Sequence, residues 1–260
     1  MVSDMNEHSD KLWHGVAIIT GASTGMGEAI AKKLAPHAKG LVIGARRIDK
    51  IKSLASTLGD HVLPIACDVQ KKDDVEHLVQ TAIERFGQVD VMINNAGIAP
   101  MASMTRCRVE DWENTIDTNL KGVLYGIAAV LPQMLEQKTG RIISISSEAG
   151  RRVFPGAAVY CATKHGVRVI SEGLQMDLSA RSLKDGNDIK VTTISPGYVT
   201  TDLPESVTFE PAKIGFKKNM HTVDGPMSSG DIAECVWYVL NTPPHVEIGE
   251  LTVRPVKQNM

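Results

Sequence analysis

The chain has little of several things. Aromatic residues make up only 4% of its 260 residues, and the formal net charge is −2. That balance offers no electrostatic footprint for nucleic acid and implies no membrane partner. No apolar run reaches the roughly 18 residues that a membrane span requires. Cys67, Cys107, Cys161 and Cys235 are scattered without a CxxC pair. Their spacing argues against a disulfide framework or a metal site, and a reducing cytoplasm is the expected compartment. Residues 1–11 are polar, carry Asp4, Glu7 and Asp10, and lack the basic and apolar parts of a signal peptide, so a flexible tail is expected there.

What remains is ordinary in amount and regular in order. Hydrophobic residues make up 43% and charged residues 22%, as in an average globular protein. The length suits one α/β domain, expected over 12–260. Short β-branched runs alternate with helical patterns: strands are predicted over 12–20, 40–45, 61–66, 89–93, 141–146, 189–194 and 249–253. Helices are predicted between them, over 28–34, 72–86 and 110–138, with another from about 157 and one over 228–240. The 110–138 pattern is the longest, with Asn119 among its apolar neighbours and Pro132 expected to bend its end. Residues 198–227 have no clear period, as in a substrate lid. This alternation predicts a doubly wound sheet, mostly parallel and seven-stranded, with helices on both faces and ligands at the strand C-terminal ends.

Candidate site residues follow predicted strands. After the first comes Thr20-Gly-Ala-Ser-Thr-Gly-Met-Gly27, a strand–glycine turn–helix cradle for phosphate. Its spacing, Gly-xxx-Gly-x-Gly, differs from the general dinucleotide fingerprint. Arg46 and Arg47 follow the second strand, where an acid would suit the ribose hydroxyl of NAD and arginine suits the 2′-phosphate of NADP; no acid occurs until Asp49. Asp68 after the third strand either meets an adenine ring or caps the following segment. Asn94-Asn95-Ala96-Gly97 after the fourth both braces the sheet and fixes a ligand. Asn119 is either a packed polar contact or part of a proton path.

The organising stretch runs from Ser147 to Lys164. On a helix, Tyr160 and Lys164 lie one turn apart on one face. A fixed cation there is expected to draw the tyrosine pKa down from about 10. With the Ser147 hydroxyl, the pair makes an acid/base site for an alcohol or a carbonyl.

Together, Thr20-Gly21-xxx-Gly25-x-Gly27, Asn94-Asn-Ala-Gly97, Asn119, Ser147, Tyr160-xxx-Lys164 and Pro196-Gly197 resemble the motif set of the short-chain dehydrogenases/reductases, over nearly the whole chain from Leu12. The resemblance implies a single-domain Rossmann fold, NADP(H) as cofactor and a homo-oligomer, dimer or tetramer. It implies that Gly21, Ser23, Thr24, Gly25, Met26 and Gly27 cradle the pyrophosphate and that Arg46 and Arg47 meet the 2′-phosphate. Asp68 and Val69 would meet the adenine, and Asn95, Ala96 and Gly97 the cofactor ribose region. Pro196, Gly197, Val199 and Thr201 would lie around the nicotinamide carboxamide. Tyr160 would be the acid/base, Lys164 would lower its pKa and hold the nicotinamide ribose, Ser147 would polarise the substrate oxygen, and Asn119 would serve the proton relay. Ser147 is chosen over Ser146 because the family's serine lies thirteen residues before its tyrosine.

The close, His245-Val-Glu-Ile-Gly-Glu-Leu251 with Pro255-Val-Lys-Gln258, resembles the NADP-dependent serine and 3-hydroxy acid dehydrogenase branch. It implies a small polar or anionic hydroxy or oxo substrate, such as a 3-hydroxy acid or sulfonated aldehyde, with Arg151 and Arg152 as candidate carboxylate or sulfonate binders. The alternatives are a cofactor-binding sensor on the same scaffold and an NAD-dependent alcohol dehydrogenase. The first predicts a damaged active site, yet Ser147, Tyr160 and Lys164 are all present. A lyase or epimerase would need a larger substrate domain.

Overall fold

Apolar β-branched runs become strands buried on both faces, and the helical patterns fall between them. The computed structural model describes residues 12–222 and 225–258; the expected tail over 1–11 lies outside them. In chain order the first half runs β1 (Val16–Thr20), α1 (Gly25–Leu34), β2 (Gly40–Ala45), α2 (Ile48–Leu58), β3 (Val62–Ala66), α3 (Lys72–Phe86) and β4 (Val91–Asn94). Next come α4 (Val109–Ile116), α5 (Gly122–Gln137), β5 (Thr139–Ile145), α6 (Ala158–Asp185) and β6 (Asp188–Pro196). The chain closes with β7 (Val199–Thr200), α7 (Glu210–Thr222), β8 (Met227–Ser228), α8 (Ser229–Leu240) and β9 (Glu250–Val253).

Seven strands form one sheet in the order β3-β2-β1-β4-β5-β6-β9, and every neighbouring pair is parallel. Successive side chains leave a strand on opposite faces, so β1 serves two cores. Ala17 and Ile19 pack with Ile30 and Leu34 of α1, Ile51 of α2 and Val236 of α8. Ile18 packs on the other face with Leu78 of α3, Val130 of α5 and Val167 of α6. Strand order reverses between β1 and β4, which opens a crevice at their C-terminal ends.

Two elements differ from expectation. The helix expected over 110–138 is α4 and α5 joined by a π-helical turn, Asp117–Lys121. Apolar periodicity runs through both sides of that turn, so one extra residue per turn left no mark in the pattern. The irregular stretch expected over 198–227 contains a 3₁₀ turn, Leu203–Ser206, the helix α7, and a second small sheet in which β7 pairs with β8. Glu205 of the 3₁₀ turn pairs with Lys213 at 2.6 Å and Lys217 at 2.5 Å of α7, and Ala212 and Phe216 of α7 line one cavity with Leu203. The start of α8 is as expected: Ser228 and Asp231 form a capping box.

Close packing of α5 on β4 depends on Gly126. A Cβ there would overlap the Asn94 carboxamide and come 2.8 Å from Met92 Cε. Gly126→Ala should therefore lower stability by about 1–3 kcal/mol in urea denaturation, with the m-value unchanged. An unchanged midpoint would show that α5 can move off the sheet at no cost.

Candidate active site

The phosphate cradle forms where β1 gives way to α1. Gly21 (φ +69°) and Gly25 (φ +60°) take left-handed conformations. At Gly21 a side chain is excluded twice over, because its Cβ would press on the Ala96 backbone at 2.7 Å. The end of β4 braces this turn. Thr20 Oγ1 accepts from the backbone N–H groups of Asn95 (3.1 Å) and Ala96 (3.2 Å), and Asn95 Nδ2 donates to the carbonyls of Thr20 (2.9 Å) and Gly21 (3.2 Å). Asn95 thus braces the sheet, while its Oδ1 is buried without a protein partner. No side chain caps α1 at Thr24, which leaves the N–H groups of its first turn available to an anion.

A groove of about 410 Å³ runs over this turn, bordered by Ser23, Thr24, Met26, Asp68, Val69 and Gly97 among others. Arg46 and Arg47 both line it, and they act differently. Both are exposed just past β2, and Arg47 donates to Ser23 Oγ (2.8 Å) and Thr24 Oγ1 (2.9 Å), so it holds the loop, while Arg46 is the one left to face the groove. Asp68 accepts from the Gln70 N–H at 3.2 Å while bordering the groove, so its place accommodates both of its readings.

A second cavity of about 580 Å³ adjoins the first; Met26, Thr201 and Leu203 line both. Here Ser147 and Tyr160 meet. Strand β5 ends at Ile145, Ser146 turns its hydroxyl onto the Lys164 carbonyl (3.0 Å), and Ser147 caps the 3₁₀ turn Glu148–Gly150. The Ser147 side chain lies beside the Tyr160 phenol, near enough to favour its ionised form, and both line the cavity. Geometry thus separates the two serines: Ser146 fastens α6, and Ser147 faces the phenol.

Lys164 lies one turn beyond Tyr160, with Nζ 5.9 Å from the ring centre and donating to the Ile145 carbonyl at 2.8 Å. The expected lowering of the tyrosine pKa is not found. Burial pushes the phenol up to about 12, against the opposing effect of the nearby Ser147 hydroxyl. Burial also brings the ammonium down to about 8. Both groups lose water to the core, and desolvation is the largest cause of each shift, while Lys164 spends its hydrogen bond on a carbonyl.

Asn119, fully buried in the π-helical turn, accepts from the Ile98 N–H (2.9 Å) and donates to the Ile98 carbonyl (2.8 Å) and Thr163 Oγ1 (3.3 Å). Its side chain is a packed polar clamp on the segment after β4. Pro196, Gly197 and Val199 line the larger cavity as a group.

Arg151 and Arg152 do not. Arg151 pairs with Glu250 at 2.7 Å and Arg152 with Glu148 at 3.5 Å, and neither lines the cavity, so their expected role as anion binders is corrected. Many lining residues were missed, among them Glu148, Tyr198 and Gln258 and the rings of Phe154, Phe209 and Phe216. Gln258 accepts from the Tyr198 N–H at 2.9 Å and donates to the Glu148 carboxylate, joining the close of the chain to the segment beside Ser147. The only signal for it was the resemblance of that close to one branch of a family.

Comparison with known proteins agrees with this geometry. A short chain dehydrogenase family model matches residues 15–211. The chain belongs to the short-chain dehydrogenase family. An uncharacterized oxidoreductase of Staphylococcus saprophyticus is 40% identical over 257 residues, covering 98% of this chain and all of the relative. Among solved structures, a closed form of serine dehydrogenase complexed with NADP+ is 33% identical with a TM-score of 0.86, over 94% of this chain and 96% of that one. An alcohol dehydrogenase from the archaeon Thermococcus sibiricus, complexed with 5-hydroxy-NADP, is 30% identical with a TM-score of 0.80, over 95% and 99%. This short-chain dehydrogenase is accordingly an oxidoreductase.

The Lys164 amine should titrate near pH 8, visible as a side-chain ¹³Cε shift that Lys164→Met abolishes. Between about 8 and its ordinary 10.5 the unfolded chain binds more protons than the folded one, so this group's contribution to stability rises with pH across that window and is lost as pH falls through 8. Tyr160 acts oppositely from 10.0 to about 12, where the folded chain holds the proton longer and stability falls with rising pH. A Lys164 shift still at the ordinary lysine value would disprove the desolvation.

Proposed function

We propose that the protein is an NADP(H)-dependent oxidoreductase interconverting an alcohol and a carbonyl by hydride transfer. The single observation carrying this reading is the placement of Ser147 beside the Tyr160 phenol, one helical turn from the Lys164 ammonium, in a cavity that adjoins the glycine-turn groove.

The groove fits a dinucleotide. Its two left-handed glycines bring backbone close to a ligand, the uncapped start of α1 suits a pyrophosphate, and the partnerless Asn95 Oδ1 lies in a residue of its wall. Gly21, Gly25 and Gly27 would cradle the pyrophosphate, with Arg47 holding Ser23 and Thr24 in place. Arg46, exposed at the end of β2 with no acid before Asp49, would meet a 2′-phosphate, which favours NADP over NAD. Two of the similar structures described above carry NADP+ or 5-hydroxy-NADP.

The nicotinamide, when bound, supplies or accepts the hydride. The chain supplies the proton chemistry. At neutral pH the Tyr160 phenol is protonated, and it gives its proton to the oxygen of a carbonyl being reduced. Ser147 donates a hydrogen bond to the same oxygen. The Lys164 ammonium, still mostly charged at pH 7, favours the phenolate left behind. In alcohol oxidation each step reverses. A cofactor sensor on this scaffold would not need these three groups together.

Tyr160→Phe should lower kcat by about 10²–10⁴-fold while the NADPH dissociation constant, followed by nicotinamide fluorescence, stays near that of the wild type. Undiminished turnover would remove Tyr160 as the acid/base. Arg46→Ala should weaken NADPH binding by about tenfold, the loss of one charge-assisted contact, and leave NADH binding unchanged. Equal effects on both cofactors would make Arg46 an ordinary surface residue.

A further inference from the structure

We infer that the larger cavity takes an uncharged, largely apolar carbonyl compound or its alcohol, of the size of a substituted aryl ketone, rather than a small anionic hydroxy acid. This inference rests on the alcohol–carbonyl reading above. In a chain so poor in aromatics, three of the four phenylalanines (Phe154, Phe209 and Phe216) and two of the four tyrosines (Tyr160 and Tyr198) line this one cavity. Met101 and Leu203 extend the apolar wall. The cavity, about 580 Å³, is shared with the nicotinamide expected among Pro196, Gly197, Val199 and Thr201, so the substrate's part is the aromatic end, and the class of substrate is set by that apolar lining.

Charge excludes the anion. Among the described residues no lysine or arginine lines the cavity. The nearby cations are engaged: Lys164 is buried on the Ile145 carbonyl, Arg151 on Glu250, and Lys213 and Lys217 on Glu205. Arg106 and Arg108 lie against the Phe209 ring, and Arg108 is bound to Asp111 as well. Among the described residues the one charged lining residue, Glu148, is negative, buried, and already faced by Arg152, Arg254 and Gln258. A carboxylate brought against these rings would lose its water and find no cation, next to a carboxylate whose own charge is already met. A cationic substrate would likewise lose its water, and would have to compete with two arginines for Glu148.

Three ligands of one shape separate these cases: acetophenone, 4-acetylbenzoate and 4-acetyl-N,N,N-trimethylanilinium. Their affinities for the full chain are read by calorimetric titration without cofactor, and their reduction by NADPH consumption. Acetophenone should bind about tenfold or more tightly than either ion and be reduced with the correspondingly higher kcat/KM. Phe216→Lys should shrink its advantage over 4-acetylbenzoate to about threefold or less by placing an ammonium on the wall. Equal affinities, tighter binding of either ion, no binding by any of the three, or an unchanged preference in the Phe216→Lys protein would each overturn the assignment. Neutral-selective binding without NADPH consumption would uphold the cavity's selectivity and instead remove the alcohol–carbonyl reading, so the two failures are distinct.

Discussion

Lys164 is tied to the end of β5 twice: its ammonium donates to the Ile145 carbonyl, and its own carbonyl accepts from the Ser146 hydroxyl. The rest of the site depends on this double attachment. It seats the first turns of α6 against the strand end, so that Tyr160, one turn earlier, meets Ser147, two residues past the last residue of β5. Keeping a cation there has a cost, visible in the depressed pKa of the amine. The buried sheet underneath supplies the rigidity, since β4, β5 and β6 run in parallel register beneath these groups.

The groove depends on a second set of bonds with the same logic. Thr20 and Asn95 join the ends of β1 and β4 by reciprocal hydrogen bonds, at the point where strand order reverses. Asn119 clamps the next residues, through Ile98, onto the π-helical turn, and its bond to Thr163 links that turn to α6. Cradle and acid/base groups are thus joined by a chain of buried amides and hydroxyls. Such groups, once buried, must be paired, and pairing them fixes their positions.

Much of this was legible before the structure. Alternating β-branched runs and helical patterns predicted a seven-stranded doubly wound sheet, and β1 reads as a continuous apolar run because it is buried on both faces, its side chains alternating between two cores. The glycine turn, Tyr160 with Lys164, and the choice of Ser147 over Ser146 were likewise readable from spacing and resemblance. The π-helical turn was not, because an added residue leaves the flanking periodicity intact. Helix α7 was hidden because Lys213 and Lys217 hold it through Glu205, at a distance in sequence that no local pattern reports. Arg151 and Arg152 looked available for a ligand because their partners, Glu250 and Glu148, are revealed only by folding or by side-chain direction.

The sequence by itself determined the kinds of group and their order: which residues can approach a phosphate, which can trade a proton, and which faces must be buried. These follow from backbone freedom, side-chain chemistry and hydrophobic period, all local properties. Tertiary structure decided what each group experiences. It raised the Tyr160 pKa where spacing alone suggested lowering it, turned Arg47 onto the loop and left Arg46 to face the groove, and gathered scarce, distant phenylalanines around one cavity. Desolvation, ion pairing and cavity shape depend on neighbours far apart in the chain, and those neighbours exist only once the sheet and its helices have closed on each other.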